Sequence, residues 1–171
     1  MVIGGGNPVF LDTNILVYAS QIQSPFHQAA IEAIQDFYDA GVDLWISRQV
    51  LREYLATLTR PQQFVNSLPI AIVIQDLRYF YNRFRVAEDS SQVTERLLTL
   101  MEEVPSGGKQ VHDANIVATM LVYGISQLFT HNTSDFARLF WVNYCLAITR
   151  LDCLLLLLVK IYFTLRNAVF R

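Results

Sequence analysis

Three aspartates occupy comparable places in this chain: Asp12 closes the apolar run VFL, Asp113 precedes the apolar stretch ANIVATML, and Asp135 follows the run QLFT by a few residues. Hydroxyl and amide side chains flank them, with Thr13 and Asn14 after Asp12 and Thr130, Asn132 and Ser134 before Asp135. Such groups bond carboxylates, waters or a phosphate, and equally they cap helices. Carboxylates gathered in one place repel one another, so a set of them stays ionised only beside a cation. Oxygen donors suit a hard ion, Mg²⁺ or Mn²⁺, which takes a few carboxylates and keeps waters for a substrate phosphate. A divalent ion there activates water and stabilises charge developing on phosphate. The sequence offers no comparable cluster of His or Cys for zinc.

The elements around these acids decide whether they can meet. Pro8–Leu11 reads as a short buried strand ending at Asp12, with a second apolar run, ILVYA, just beyond. After Pro25, the apolar residues Ala29, Ala30, Ile34, Phe37 and Tyr38 recur at helical spacing up to Gly41. Leu44–Ile46 reads as a strand, and Ser47 is placed to cap a helix whose stripe is Val50, Leu51, Tyr54, Leu55 and Leu58, with Glu53 at its edge. A helix is expected over 69–83, a strand over 84–86, a helix over 90–103 and another from His112 to Gly124, with Asp113 in its first turn. Residues 126–130 form the next strand, and NTSDF starts a further turn or helix. Strands alternating with helices predict an α/β fold, in which strand ends and helix starts share one ligand-binding edge. Residues far apart in sequence can converge there.

A length of 171 residues suits one domain with a substantial core. The net charge of −2 excludes a basic surface over the whole molecule, so any nucleic-acid contact has to be local. Charge is uneven: residues 139–171 carry four bases and one acid, which leaves nine bases and fourteen acids for residues 1–138. The two cysteines, Cys145 and Cys153, lie near the C-terminus and make no framework; with no export signal at the N-terminus, a reducing, cytoplasmic setting is expected.

VFLDTNILVYA, SRQVLREYLATLTRP, HDANIVAT and LFTHNTSDF, in that order, resemble the PIN domain, and in particular the VapC-type toxins of bacterial toxin–antitoxin pairs. The resemblance covers about residues 8–138. It implies a three-layer α/β/α fold with a central, mainly parallel sheet, and an endoribonuclease dependent on Mg²⁺ or Mn²⁺ that hydrolyses RNA to a 3′-hydroxyl and a 5′-phosphate. By motif position it implies a catalytic set of Asp12, Glu53, Asp113 and Asp135, with Asp12, Asp113 and Asp135 as metal ligands. It further implies a homodimer and a small cognate antitoxin as partner. The alternative is a catalytically impaired PIN module that binds RNA or a partner protein.

Each of these residues also has a plainer reading. Asp12 could cap the following helix, Asp113 could serve a helix dipole, and Asp135 could make an Asx turn. Glu53, on physical grounds alone, reads more readily as a solvated residue or an ion-pair partner, for instance of Arg48 or Arg52, than as a catalytic group. His112 and His131 stand beside acids but are left outside the catalytic set, as makers of local hydrogen bonds. Arg48, Arg52, Arg60, Arg78, Arg83, Arg85 and Lys109 could contact phosphate or line a solvated face. Tyr79, Phe80, Tyr81 and Phe84 are read mainly as core or dimer contacts, with base stacking as a minor option. The resemblance stops near DFARL. The domain division is accordingly 1–138 for the nuclease domain and 139–171 for an atypical apolar tail, whose run Cys153–Val159 is too short to span a bilayer. The last strand of the sheet is expected to be missing or replaced by LAIT.

Overall fold

Val9, Phe10 and Leu11 are buried on both sides, as an unbroken apolar run allows, and form β1 (Val9–Leu11) at the centre of a sheet. The computed structural model describes residues 7–60, 67–105, 107–142 and 147–150. The chain continues through α1 (Thr13–Ser20), α2 (His27–Asp39), β2 (Leu44–Ser47), α3 (Arg48–Thr59), α4 (Ile70–Arg83) and β3 (Arg85–Ala87). It then forms α5 (Ser91–Glu103), α6 (Gln110–Val122), β4 (Gln127–Thr130), α7 (Thr133–Val142) and β5 (Ala147–Arg150).

The sheet runs β3-β2-β1-β4-β5, and every neighbouring pair is parallel. Phe10 stands opposite Trp45 on one side and Leu128 on the other. Parallel connections are right-handed, so the helices between β1, β2 and β3 lie on one face and those leading to β4 and β5 on the other. Helix contacts divide accordingly: α1 packs on α2 and α3, and α3 on α4, whereas α6 packs on α5 and α7. This is the expected three-layer α/β/α arrangement. The winding direction reverses between β1 and β4, which opens a crevice at their carboxyl ends.

Most elements fall where the apolar patterns put them, with shifts of a residue or two. The run ILVYA belongs to α1, because Asp12 ends β1 and caps the helix. Phe84 closes α4 and packs in the core, so β3 starts one residue later than expected. Gly124, at φ 66°, turns the chain after α6 and lets the Ile125 N–H bond the Met120 carbonyl at 2.8 Å. Tyr54, fully buried, hydrogen-bonds Ser20 at 2.7 Å and Asp76 at 2.9 Å, tying α3 to α1 and α4.

The described part of LAIT, Ala147–Thr149, does extend the sheet: β5 pairs in parallel with β4, with Thr130 opposite Arg150. The boundary expected after residue 138 therefore falls inside α7. Cys145, Cys153 and the run Cys153–Val159 lie outside the described residues. Among the described residues no helix is long and apolar enough to cross a membrane.

Candidate active site

Helices α1, α3 and α7 begin directly after β1, β2 and β4, and α6 begins at the same edge because it leads back to the start of β4. Their positive N-terminal ends converge there, and each carries an acid in or near its opening turns.

Asp12 lies one residue beyond β1, and its backbone N–H bonds the Phe129 carbonyl at 3.1 Å as the last rung toward β4. Its Oδ1 accepts the Thr13 N–H at 2.6 Å, so the capping reading is correct as far as it goes. Its Oδ2 accepts from Asn14 Nδ2 and from Thr130 Oγ1, each at 2.6 Å. Thr130 Oγ1 also accepts from Asn14 at 3.0 Å and from the Asn132 N–H at 3.0 Å, closing a polar knot between β1 and β4. With 7 % exposure, burial pushes the Asp12 carboxyl up from 3.8 to about 6, against the pull of Thr130 and Thr13 and with added repulsion from Glu53 and Asp113.

Glu53 is held at both oxygens: Thr13 Oγ1 donates to Oε2 at 2.8 Å and Gln49 Nε2 to Oε1 at 2.7 Å. His112 Nδ1 stands 3.5 Å from Oε1. Neither arginine named above as an ion-pair partner of Glu53 is bonded to it, since both are engaged by other acids. Arg48 forks onto Glu88 at 2.7 and 2.9 Å, and Arg52 bonds Asp89 at 2.7 Å. Asp113, in the first turn of α6, is pushed from 3.8 to about 6 by burial and then by the charges of Asp135 and Glu53, with His112 opposing. Asp135 is exposed in the first turn of α7 and accepts from Ser134 Oγ at 3.3 Å. Each of the four acids thus feels at least one of the others, and the fold brings all of them to one edge.

Glu53, Asp113 and Asp135 line a groove of about 740 Å³ whose walls also include Arg52, Arg60, Leu97 and Lys109. Among the described residues no Phe, Tyr or Trp lines it, and His112 is the ring that does. Of the seven bases considered above, Arg48, Arg83 and Arg85 are engaged away from it, Arg83 lying 3.7 Å over the Tyr38 ring and Arg85 3.2 Å from Asp43. Arg78 lies beside Ile74 and Tyr81 on α4, also away from the groove. The aromatic residues in and just after α4 do not line it either: Phe80 and Phe84 stack in the core, and Tyr79 and Tyr81 are exposed, Tyr81 beside Arg48.

The PIN domain family model matches residues 9–140, a span that contains all four acids and the strands and helices that carry them. The chain belongs to the PIN domain family. Ribonuclease VapC48 of Mycobacterium tuberculosis is 25 % identical over 129 residues, covering 74 % of this chain and 88 % of that protein. Among solved structures, VapBC2 from Rickettsia felis, bound to a DNA fragment from its promoter, superimposes with a TM-score of 0.62 at 19 % identity, over 83 % of this chain and 97 % of that one. VapC20 of M. tuberculosis, a Sarcin-Ricin loop cleaving toxin, gives a TM-score of 0.54 at 18 % identity, over 70 % and 86 %.

Whether this PIN domain can hold the divalent ion its family implies turns on the donor set. Among the described residues no three His, Cys, Asp or Glu side chains are close enough together to form a metal cage by themselves. Oxygen donors, two of them pushed to about 6 by burial and by neighbouring acids, nevertheless leave a deficit of positive charge that a cation would meet. That suits Mg²⁺ or Mn²⁺, which bind through one or two carboxylates and keep several waters, and it does not suit zinc.

His131 packs its ring on Phe26 at 4.3 Å and Tyr18 at 5.6 Å, while its backbone N–H, not its ring, bonds Asn14 at 3.1 Å. Gln49 and Asn115 were passed over in the sequence. Asn115 Nδ2 donates to Gln49 Oε1 at 2.6 Å, and Gln49 Nε2 reaches both Glu53 and the His112 carbonyl, the latter at 2.9 Å. Their only signal was position: Gln49 one turn before Glu53 and Asn115 two residues after Asp113.

Proposed function

We propose that this chain is a Mg²⁺- or Mn²⁺-dependent endoribonuclease and the toxin of a toxin–antitoxin pair. The observation that carries the reading is the gathering of Asp12, Glu53, Asp113 and Asp135 at the crevice where the sheet's winding reverses. Its relatives support the reading: one bears the name ribonuclease, another cleaves the Sarcin-Ricin loop, and a third is part of a VapBC complex on DNA.

The reaction is attack of water on an RNA phosphodiester, in line with the leaving oxygen, to give a 3′-hydroxyl and a 5′-phosphate. A bound divalent ion supplies charge stabilisation for the phosphate and lowers the cost of removing a proton from water. Asp12, fixed by three hydrogen bonds, and Asp113 are the residues that would hold it, with Asp135 as a further ligand. Glu53, fixed at both oxygens, orients the attacking water and takes up its proton. Arg52, Arg60 and Lys109, in the groove wall, offset the acids as the phosphate backbone enters. A cognate antitoxin and a homodimer complete the assembly proposed.

Cleavage of RNA oligonucleotides in Mg²⁺ or Mn²⁺, lost with chelator and in Asp12→Asn, is the expected result. Equal cleavage by Asp12→Asn would sink the reading, and binding without cleavage across a metal titration would replace it with that of an impaired RNA-binding module. A parallel DNA oligonucleotide separates ribonuclease from general nuclease activity.

A further inference from the structure

Gln49 is 5 % exposed, a neutral amide buried beside the acids of the site. It lies one helical turn before Glu53 on α3, so the two side chains share a face. Both hydrogens of its Nε2 point at oxygens, Glu53 Oε1 at 2.7 Å and the His112 carbonyl at 2.9 Å, while its Oε1 accepts from Asn115 at 2.6 Å. Turning the amide over would set its oxygen against a carboxylate and a carbonyl, so chemistry decides the orientation. His112 and Asn115 bracket Asp113 in sequence. One carboxamide therefore grips Glu53 on α3 and the opening turns of α6 on either side of Asp113.

We propose that Gln49 is a positioning residue for cleavage, whose carboxamide sets the separation between Glu53 and Asp113; the proposal rests on the nuclease reading above. Without it, Glu53 keeps the bond from Thr13 but loses the one that aims Oε1, and His112, 3.5 Å away, draws that oxygen aside. The hydrogen bonds that join α3 to α6 are lost at the same point.

The test uses Gln49→Met, which keeps the length and bulk of the side chain and removes its hydrogen bonds. Kinetics on an RNA oligonucleotide with Mn²⁺ are expected to show kcat reduced about 10- to 100-fold, the usual effect of removing a residue that orients a metal ligand or its partner. KM stays within about two-fold, because substrate binding does not use the amide. At saturating Mn²⁺, single-turnover rates of Glu53→Gln and of Glu53→Gln combined with Gln49→Met are expected to match, since Gln49 then acts through Glu53. Asn115→Ala, which frees only the amide's third bond, lowers kcat in the same direction by a smaller factor. A wild-type kcat in Gln49→Met overturns the proposal, as does its full effect persisting on top of Glu53→Gln. Should Gln49→Met fail to fold, an unchanged kcat in Asn115→Ala overturns it instead. Should the wild-type chain itself leave RNA uncut, the nuclease reading fails separately, and Mn²⁺ affinity by calorimetry then decides. Binding about ten-fold weaker in Gln49→Met supports the positioning of the site; equal binding overturns it.

Discussion

At Asp12 one carboxylate both caps α1 and faces Glu53 and Asp113, so the plain and the chemical readings of that residue coexist. Its raised pKa of about 6, shared by Asp113, gives a pH dependence with a definite sign. Both acids have to be ionised to receive a cation, so kcat/KM on RNA rises as pH passes about 6 and levels off above, read from a pH–rate profile. Asp12→Asn lowers cleavage at least about a hundred-fold at any pH. Stability runs the other way. A carboxyl whose folded pKa is raised binds more protons folded than unfolded between 3.8 and about 6, so metal-free stability falls as pH rises through that window. Asp113→Asn removes one of the repelling charges, and after discounting for solvent screening it raises the metal-free Tm at neutral pH by about 2 to 4 °C. A calorimetric scan showing no rise, or a rise equal at pH 4, would contradict the repulsion argument.

Among the elements, α3 matters most for the site because it carries both Gln49 and Glu53 from a start set by Ser47. Ser47 is fully buried, and its Oγ accepts the Val50 N–H at 3.3 Å. Ser47→Ala leaves that N–H without its cap and costs about 1 kcal/mol, read from denaturant titration. The cap was legible in the sequence because a serine directly before an amphipathic stripe has few other uses. Glu53's environment was not legible. Its neighbours Thr13 and His112 come from other helices, and the arginines beside it in sequence are turned toward Glu88 and Asp89 by the local shape of β3 and the loop after it.

For the whole molecule, the sheet continues past the point where the family resemblance fades. β5 covers the outer edge of β4, the strand whose last residue, Thr130, holds Asp12. A chain ending at Arg138 leaves β4 as an open edge, with its N–H and C=O groups bare to other chains. It is expected to aggregate and to lose cleavage. A chain ending at Arg150 keeps β5 and is expected to retain the cleavage rate of the full chain. Size-exclusion chromatography with an RNA assay on both versions checks this, and equal behaviour of the two would deny β5 that part.

The amino-acid pattern alone determined the alternation of strands and helices and the place of Asp12, Asp113 and Asp135 at element ends, because hydrophobic period and capping chemistry are local properties; the mainly parallel sheet was implied by the family resemblance. It also sufficed for the family. Only the tertiary structure decided that Glu53 faces Thr13 and Gln49 instead of an arginine, that Arg83 and Arg85 are spent on Tyr38 and Asp43, and that the described part of LAIT joins the sheet. Those outcomes depend on which side chains from distant segments compete for the same partner, and a linear sequence carries no distance between them.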